Sequence, residues 1–396
     1  MNNLYKKNYS YNQLLEFFIL FILLIFPKFN IIDISNYHQG IRIEDFLIVY
    51  IAIFLILSNT FEIKKNDLGF NFIIYFFILL ISIIHGSLYF GQKWVILPRY
   101  LEYIVLLIYF NRHNPDLYSI FKILRLYLIL NFFAVILQEL GLLGEITSLG
   151  YESPANLSDD RPTGLTGGPW ELSNCSAIIF FTLLLDKKQN LTSKYIYSII
   201  AIYLIFATHS RAIVISFFLA LAIYIFMKNV KLSKIYFFLI FFITSILCFL
   251  IIIKFTNNIL IFDEVYFQLI PMLQDFIFYQ EKTNLDQLDG RLWSMAYRID
   301  HWLEMYNKFL LNSFTIIFGS GSTTMYYESI IFRILFGAGI FGFIFVLFAV
   351  RTFPIHIFVL LFITGLTLDL LLSFKIFLTI LFYFYILLRL ENDSRN

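Results

Sequence analysis

The chain has 396 residues, 60% of them hydrophobic and only 14% charged, with a mean hydropathy of +0.78. Soluble domains carry about half apolar and a quarter charged residues, so a soluble fold is excluded and an all-α, polytopic membrane protein is expected. The net charge of +2 excludes the basic field that nucleic-acid binding needs, and Cys175 and Cys248, in or beside apolar runs, have neither disulfide nor metal-ligand spacing.

Taken in order, apolar runs predict about twelve helices, near 14–32, 45–61, 69–86, 99–111, 119–142, 172–186, 195–208, 212–227, 235–254, 328–350, 355–369 and 373–389. Lys6 and Lys7 precede the first run, but Pro27-Lys28 follows it without a small-residue cleavage pattern, so it reads as an uncleaved span. Asp369 and Lys375 break the last apolar block and predict a hairpin whose turn reaches the membrane interface. No internal repeat, Walker loop, G-x-G-x-x-G or H-E-x-x-H is present.

Lys and Arg set the expected orientation. With the N-terminus in the cytoplasm, the inner loops carry Lys64, Lys65, Arg112, Lys122, Arg125, Lys187, Lys188, Lys194, Lys228, Lys231, Lys234 and Arg351, and both termini are inside. The outer face then receives residues 144–171, a long segment at about 255–327, and Trp94, Trp170, Trp293 and Trp302.

The 144–171 segment is polar and contains RPTGLTGGPWELS at 161–173. Glycines let backbone N–H groups converge on an anion, and Arg161 offers a planar, permanently charged fork that suits phosphate oxygens. The plainer alternative is a turn with Arg161 paired to Asp159 or Asp160. A second arginine, Arg211, stands at a span boundary in ATHSRAIVIS, where a charge has a partner or a task.

The 255–327 segment is too long and too apolar for an idle linker. Within it, Leu292, Met295, Ile299, Trp302, Tyr306 and Phe309 form one helical stripe. Arg291 and Arg298, two turns apart at its edge, would sit at phosphate depth if this amphipathic helix lies in the interface; alternatively they snorkel to ordinary headgroups. Gly319-Ser320-Gly321 reads as a tight turn, after which Glu328 opens the next span.

An outer-face transferase cannot use cytoplasmic nucleotide sugars and must draw on a lipid carrier, a polyprenyl diphosphate being the usual bacterial form. Such a site needs cations for the departing diphosphate and a base for the acceptor hydroxyl. The outer segments lack the Asp-x-Asp pair of metal-using transferases, so no metal or cofactor is expected and Arg161, Arg211, Arg291 and Arg298 are the candidate diphosphate ligands. Glu328, Glu171 and His301 are the candidate bases. Glu328 and Glu171 could instead be helix N-terminal carboxylates favoured by the dipole, and His301 could cover a polar helix side.

Arg161–Pro169, the Ser210-Arg211 turn, the arginine-bearing segment ending at Gly319–Gly321, and Glu328 ahead of a glycine-spaced span occur in that order. In this the chain resembles the Wzy-type O-antigen polymerases and the related O-antigen ligases, over roughly residues 90–350. The resemblance implies a multi-pass inner-membrane glycosyltransferase of about twelve helices, embedded among membrane lipids, with two periplasmic loops cupping undecaprenyl-diphosphate-linked oligosaccharides. It would join O-antigen or capsule repeat units without a metal, with Arg161 and Arg211 holding the diphosphate together with Arg291 or Arg298. The resemblance also implies a chain-length regulator as a candidate partner. Ligases look to use a histidine late in the long loop, whereas His301 lies well before the Gly turn, which points to polymerase over ligase. An O-antigen ligase and a polysaccharide flippase are the alternatives.

Overall fold

The computed structural model describes residues 11–35, 39–58, 67–90, 97–113, 115–147, 150–152, 161–229, 302, 304–321, 329–368, 370 and 373–395. Among these, helices are α1 (Tyr11–Ile25), α2 (Ile43–Leu57), α3 (Asp67–Phe90), α4 (Leu97–Arg112), α5 (Leu117–Glu139), α6 (Pro169–Leu184), α7 (Leu191–Ala207), α8 (Arg211–Asn229), α9 (Ser313–Phe318), α10 (Ile330–Val350), α11 (Ile355–Thr367) and α12 (Phe374–Arg395). Among the described residues, four stretches are long and apolar enough to cross a membrane: Phe70–Phe90, Leu117–Glu139, Arg211–Lys228 and Ile330–Val350. The expected helix at 235–254 and most of the expected 255–327 loop, all but residues 302 and 304–321, lie outside the described residues.

Two departures from an all-helical reading stand out. The first helix stops at Ile25 rather than running to residue 32, because Pro27 cannot continue the helical ladder. The chain then forms β1 (Asn30–Ser35), paired antiparallel with β2 (Gln39–Arg42), directly ahead of α2. A second short hairpin, β3 (Glu145–Thr147) with β4 (Gly150–Glu152), lies inside the polar 144–171 segment. β-rich Ile-Ile runs read as span when only hydrophobicity is counted.

Side-chain contacts fix how the helix ends are sorted. Arg99 near the start of α4 reaches Glu44 (3.7 Å) and Asp45 (3.8 Å) at the start of α2, and its guanidinium lies over the Phe374 ring at the start of α12. Arg333, in the first turns of α10, donates to the Tyr100 hydroxyl at 3.1 Å. Ser373, just before α12, bonds Glu171 in the first turn of α6. The N-termini of α2, α4, α6, α10 and α12 therefore meet at one end of the bundle. Short turns make α6, α7 and α8 alternate in direction and bring the α8 N-terminus to that end too.

At the opposite end Arg125 pairs with Asp186, and Arg389 and Tyr385 donate to the Pro115 carbonyl at 2.8 and 2.9 Å. Arg112, Lys187, Lys188, Lys228 and Arg351 also belong to helix ends or turns there. Between the ends the core is aromatic, with Tyr103 stacked on Phe377 at 4.1 Å between centroids and Phe353 against Phe384 at 3.9 Å. Close side-chain packing of this kind holds helices together where lipid removes the hydrophobic drive.

The Gly319–Gly321 stretch is not an exposed turn. α10 breaks at Gly339, whose φ is 69°. Into the break the chain after α9 inserts edge-on: the Ser320 and Gly321 amides donate to the Phe336 and Gly337 carbonyls at 2.8 and 3.0 Å. The Ser82 hydroxyl of α3 closes the far side by bonding the Phe318 carbonyl. Ser82 and Ser320 are fully buried. Irregular backbone at this depth is tolerated because its polar groups are satisfied by protein.

Candidate active site

The polar loop between α5 and α6 is held by side chains from three helices. Gln138 and Asn131 of α5 are seven residues apart, two turns along one face. Gln138 Oε1 accepts from the Thr163 and Gly164 amides at 3.1 and 2.8 Å, and its Nε2 donates to the Gly144 and Gly164 carbonyls at 3.1 and 3.2 Å. Asn131 Oδ1 accepts from the Leu165 amide at 2.8 Å. Thr166 turns back on Thr163, its amide and hydroxyl both donating to that carbonyl. Pro169 then opens α6 as its first residue, where a missing N–H does no harm.

Glu171 sits beneath this loop at 1% exposure. Its Oε1 accepts from Lys28 Nζ and from the Ser373 hydroxyl, and its Oε2 accepts from the Gly167 amide at 2.7 Å. Lys375, also 1% exposed, donates from Nζ to the Leu165 carbonyl at 2.8 Å. A buried charge is tolerated only when paired and hydrogen-bonded, and here two lysines from opposite ends of the sequence flank one carboxylate. The next charges outward belong to a second cluster. Arg99 bonds Glu102 at 2.7 Å and approaches Glu44, while Arg42 lies 3.5 Å from Glu44 and donates its amide to Asp45 at 2.8 Å.

The same end thus gathers converging helix N-termini, whose dipoles favour anions, and a set of cations of which Lys28, Arg42 and Arg99 are paired with carboxylates. Arg161, at the edge of the glycine loop, is exposed. So is Arg211, the first residue of α8. A cation gains nothing from the dipole at a helix N-terminus. The pairing of an amide-rich helix start with a guanidinium instead suits a multiply charged anion such as a phosphate group.

No family model matches the chain. Over 341 residues it is 27% identical to the ComP-specific O-oligosaccharyltransferase of Acinetobacter baylyi, an alignment covering 82% of this chain and 55% of that protein. The chain therefore spans about half the length of the relative it matches.

Of the residues that the sequence proposes for chemistry, the structure brings Arg161, Arg211 and Glu171 to one end of the bundle. Arg291, Arg298, His301 and Glu328 lie outside the described residues. Glu171 was expected as a base or as a helix N-terminal carboxylate; it occupies the first turn of α6 with both oxygens engaged. Lys375 was expected at an interfacial turn. The turn exists between α11 and α12, but the ammonium points inward to the loop because Leu165 and Glu171 offer it the acceptor and counter-charge that lipid lacks. Sequence reasoning passed over Lys28, Gln138, Asn131 and Arg99. Gln138 and Asn131 did leave a trace, as two amides on one face of the apolar stretch that follows Arg125 in α5.

Proposed function

We propose that this chain is a membrane-embedded glycan transferase that passes a preassembled oligosaccharide from a lipid carrier to an acceptor. The observation that carries this is the similarity to an O-oligosaccharyltransferase over most of the chain. It favours transfer to a separate acceptor, the ligase-type reaction, over the polymerase reading that the position of His301 suggests. It also favours a transferase over a flippase.

In this reading the donor is an undecaprenyl-diphosphate-linked oligosaccharide, and the end of the bundle bearing the glycine loop faces the periplasm. In the same reading the opposite end and both termini are cytoplasmic, which the basic residues there support by the positive-inside rule. Arg161 and Arg211 take the diphosphate, joined by Arg291 or Arg298 from the long segment. Charge builds on the departing diphosphate as the sugar–oxygen bond breaks, and fixed guanidinium groups stabilise it without reorganising. The acceptor hydroxyl attacks the anomeric carbon and gives its proton to Glu328 or His301. Arginines thereby do the work that a metal does in other transferases.

The test is a deletion strain complemented with wild type, followed through surface polysaccharide gels, glycoprotein mass spectrometry and carrier-lipid extraction. Ligase-type transfer predicts, in the deletion strain, an acceptor lacking its glycan while full-length carrier-linked oligosaccharide accumulates on the periplasmic leaflet of the inner membrane. Acceptors capped with single repeat units would replace this reading by polymerisation. Carrier-linked glycan retained on the inner leaflet would replace it by transport.

A further inference from the structure

Both oxygens of the Glu171 carboxylate are engaged. Lys28 and Ser373 take one oxygen and the Gly167 amide takes the other, in a pocket almost closed to solvent. A proton collected from an acceptor would neutralise the carboxylate and leave a buried ammonium without its counter-ion. These contacts do something else. Lys28 follows α1, Glu171 opens α6, and Ser373 and Lys375 flank the start of α12, so distant parts of the chain converge on one short loop. The Leu165 carbonyl is held by Lys375 and the Gly167 amide by Glu171, while α5 fixes the Thr163, Gly164 and Leu165 amides. Backbone groups from residue 163 to 167 are thus tied by side chains rather than by a regular ladder. Arg161 is joined to this rigid stretch through Pro162, which locks its own φ and restricts Arg161 to extended backbone.

We propose that Glu171, Lys28 and Lys375 form a positioning lock that fixes the 163–168 loop and so sets where Arg161 meets the carrier diphosphate. The proposal rests on the transferase reading for its ligand, and it removes Glu171 from the candidate bases. It accounts for a salt bridge buried where an apolar pair would pack as well, since such bridges contribute little net stability but specify one arrangement of the groups they touch. It also explains why the loop needs no regular structure: its shape is imposed from outside.

The experiment uses the full-length protein in nanodiscs, with wild type, Glu171→Gln, Lys375→Met, Arg161→Ala and the Arg161→Ala/Glu171→Gln double variant. Undecaprenyl-diphosphate-linked oligosaccharide is the donor probe. Hydrogen exchange at the 163–168 amides is expected to speed up at least ~10-fold in Glu171→Gln, and kcat/KM for the donor to fall ~10-fold, well short of the loss in Arg161→Ala. Because the lock acts through Arg161, the double variant is expected to be no slower than Arg161→Ala alone. Should Glu171→Gln fail to fold, Lys375→Met, which keeps the Lys28–Glu171 pair, carries the same expectations. Unchanged amide protection overturns the lock. So does full additivity with Arg161→Ala, and so does a kcat loss of about 1,000-fold at unchanged KM, which would restore Glu171 as a base. If wild type transfers no glycan, the transferase reading fails, and the exchange data alone still decide whether the lock exists.

Discussion

Lys375 and Leu165 stand 210 positions apart in sequence, yet the lysine ammonium donates to the leucine carbonyl at 2.8 Å. That single bond ties the last helix to the one polar loop that interrupts the middle of the chain. Beside it, Lys28 brings the end of the first helix to the same place through Glu171.

The Lys28–Glu171 pair gives a stability prediction with a sign that depends on how it is broken. Removing one partner of a buried pair strands the other, at about 3–5 kcal/mol, whereas replacing both by apolar or neutral groups is close to neutral. Lys28→Met alone is therefore expected to lower the thermal midpoint clearly. Lys28→Met/Glu171→Leu/Lys375→Met, which also removes the second ammonium that Glu171 balances, is expected to recover part of the loss. Detergent-solubilised melts of the two proteins check this; equal midpoints for both would count against a charged pair at this site.

Gln138 supplies a second prediction. It accepts from the Thr163 and Gly164 amides and donates to two loop carbonyls. Gln138→Ala leaves those amides buried without acceptors, each at about 1–3 kcal/mol. Gln138→Leu fills the volume yet leaves the same groups unpaired, so it is expected to rescue little. Melting temperatures with hydrogen exchange at residues 163–164 separate lost volume from lost bonding.

What the sequence makes legible follows from what hydrophobicity measures. The apolar runs at 45–61, 99–111, 119–142, 212–227 and 355–369 fall on α2, α4, α5, α8 and α11 because a helix in lipid must be apolar along its length. Hydrophobicity is blind to hydrogen-bond geometry, so Asn30–Ser35 and the break at Gly339 went unread. The arginine and glycines of 161–168 marked a loop of interest, since charge and glycine are rare in such a chain. Their partners were not readable: Lys28, Gln138 and Lys375 reach the loop through the packing of helices, which no local pattern encodes.

Arg161 and Arg211 give the activity prediction. If each stabilises charge on a departing diphosphate, removing one preorganised cation costs about 10²–10³ in rate. Arg161→Ala and Arg211→Ala are each expected to lose that much glycan transfer with unchanged protein levels and melting. Lysine at either position is expected to restore only part, because a point charge cannot match a bidentate fork. Single-turnover transfer assays check this, and near-normal rates from both alanine variants would remove them from the site.

Gly339 offers a prediction about the bundle itself. Its φ of 69° lies where a side chain is strained, and an added Cβ would strike the Ile317 carbonyl and the Gly319 amide. Gly319, at φ 89°, faces the Gly337 backbone in the same manner. The two glycines therefore let two backbones touch, and each is needed by the other. Neither obstacle is a flexible side chain, so nothing nearby can yield cheaply. Straightening α10 would relieve the strain but would reclaim the Phe336 and Gly337 carbonyls for the helix and expel Ser320 and Gly321 from their partners. Gly339→Ala and Gly319→Ala are each expected to abolish folded protein in the membrane fraction, while Gly141→Ala, at φ 68° with open space around it, is expected to be mild. Fluorescence size-exclusion of tagged protein reads the difference, and a monodisperse Gly339→Ala peak would mean that α10 tolerates running straight.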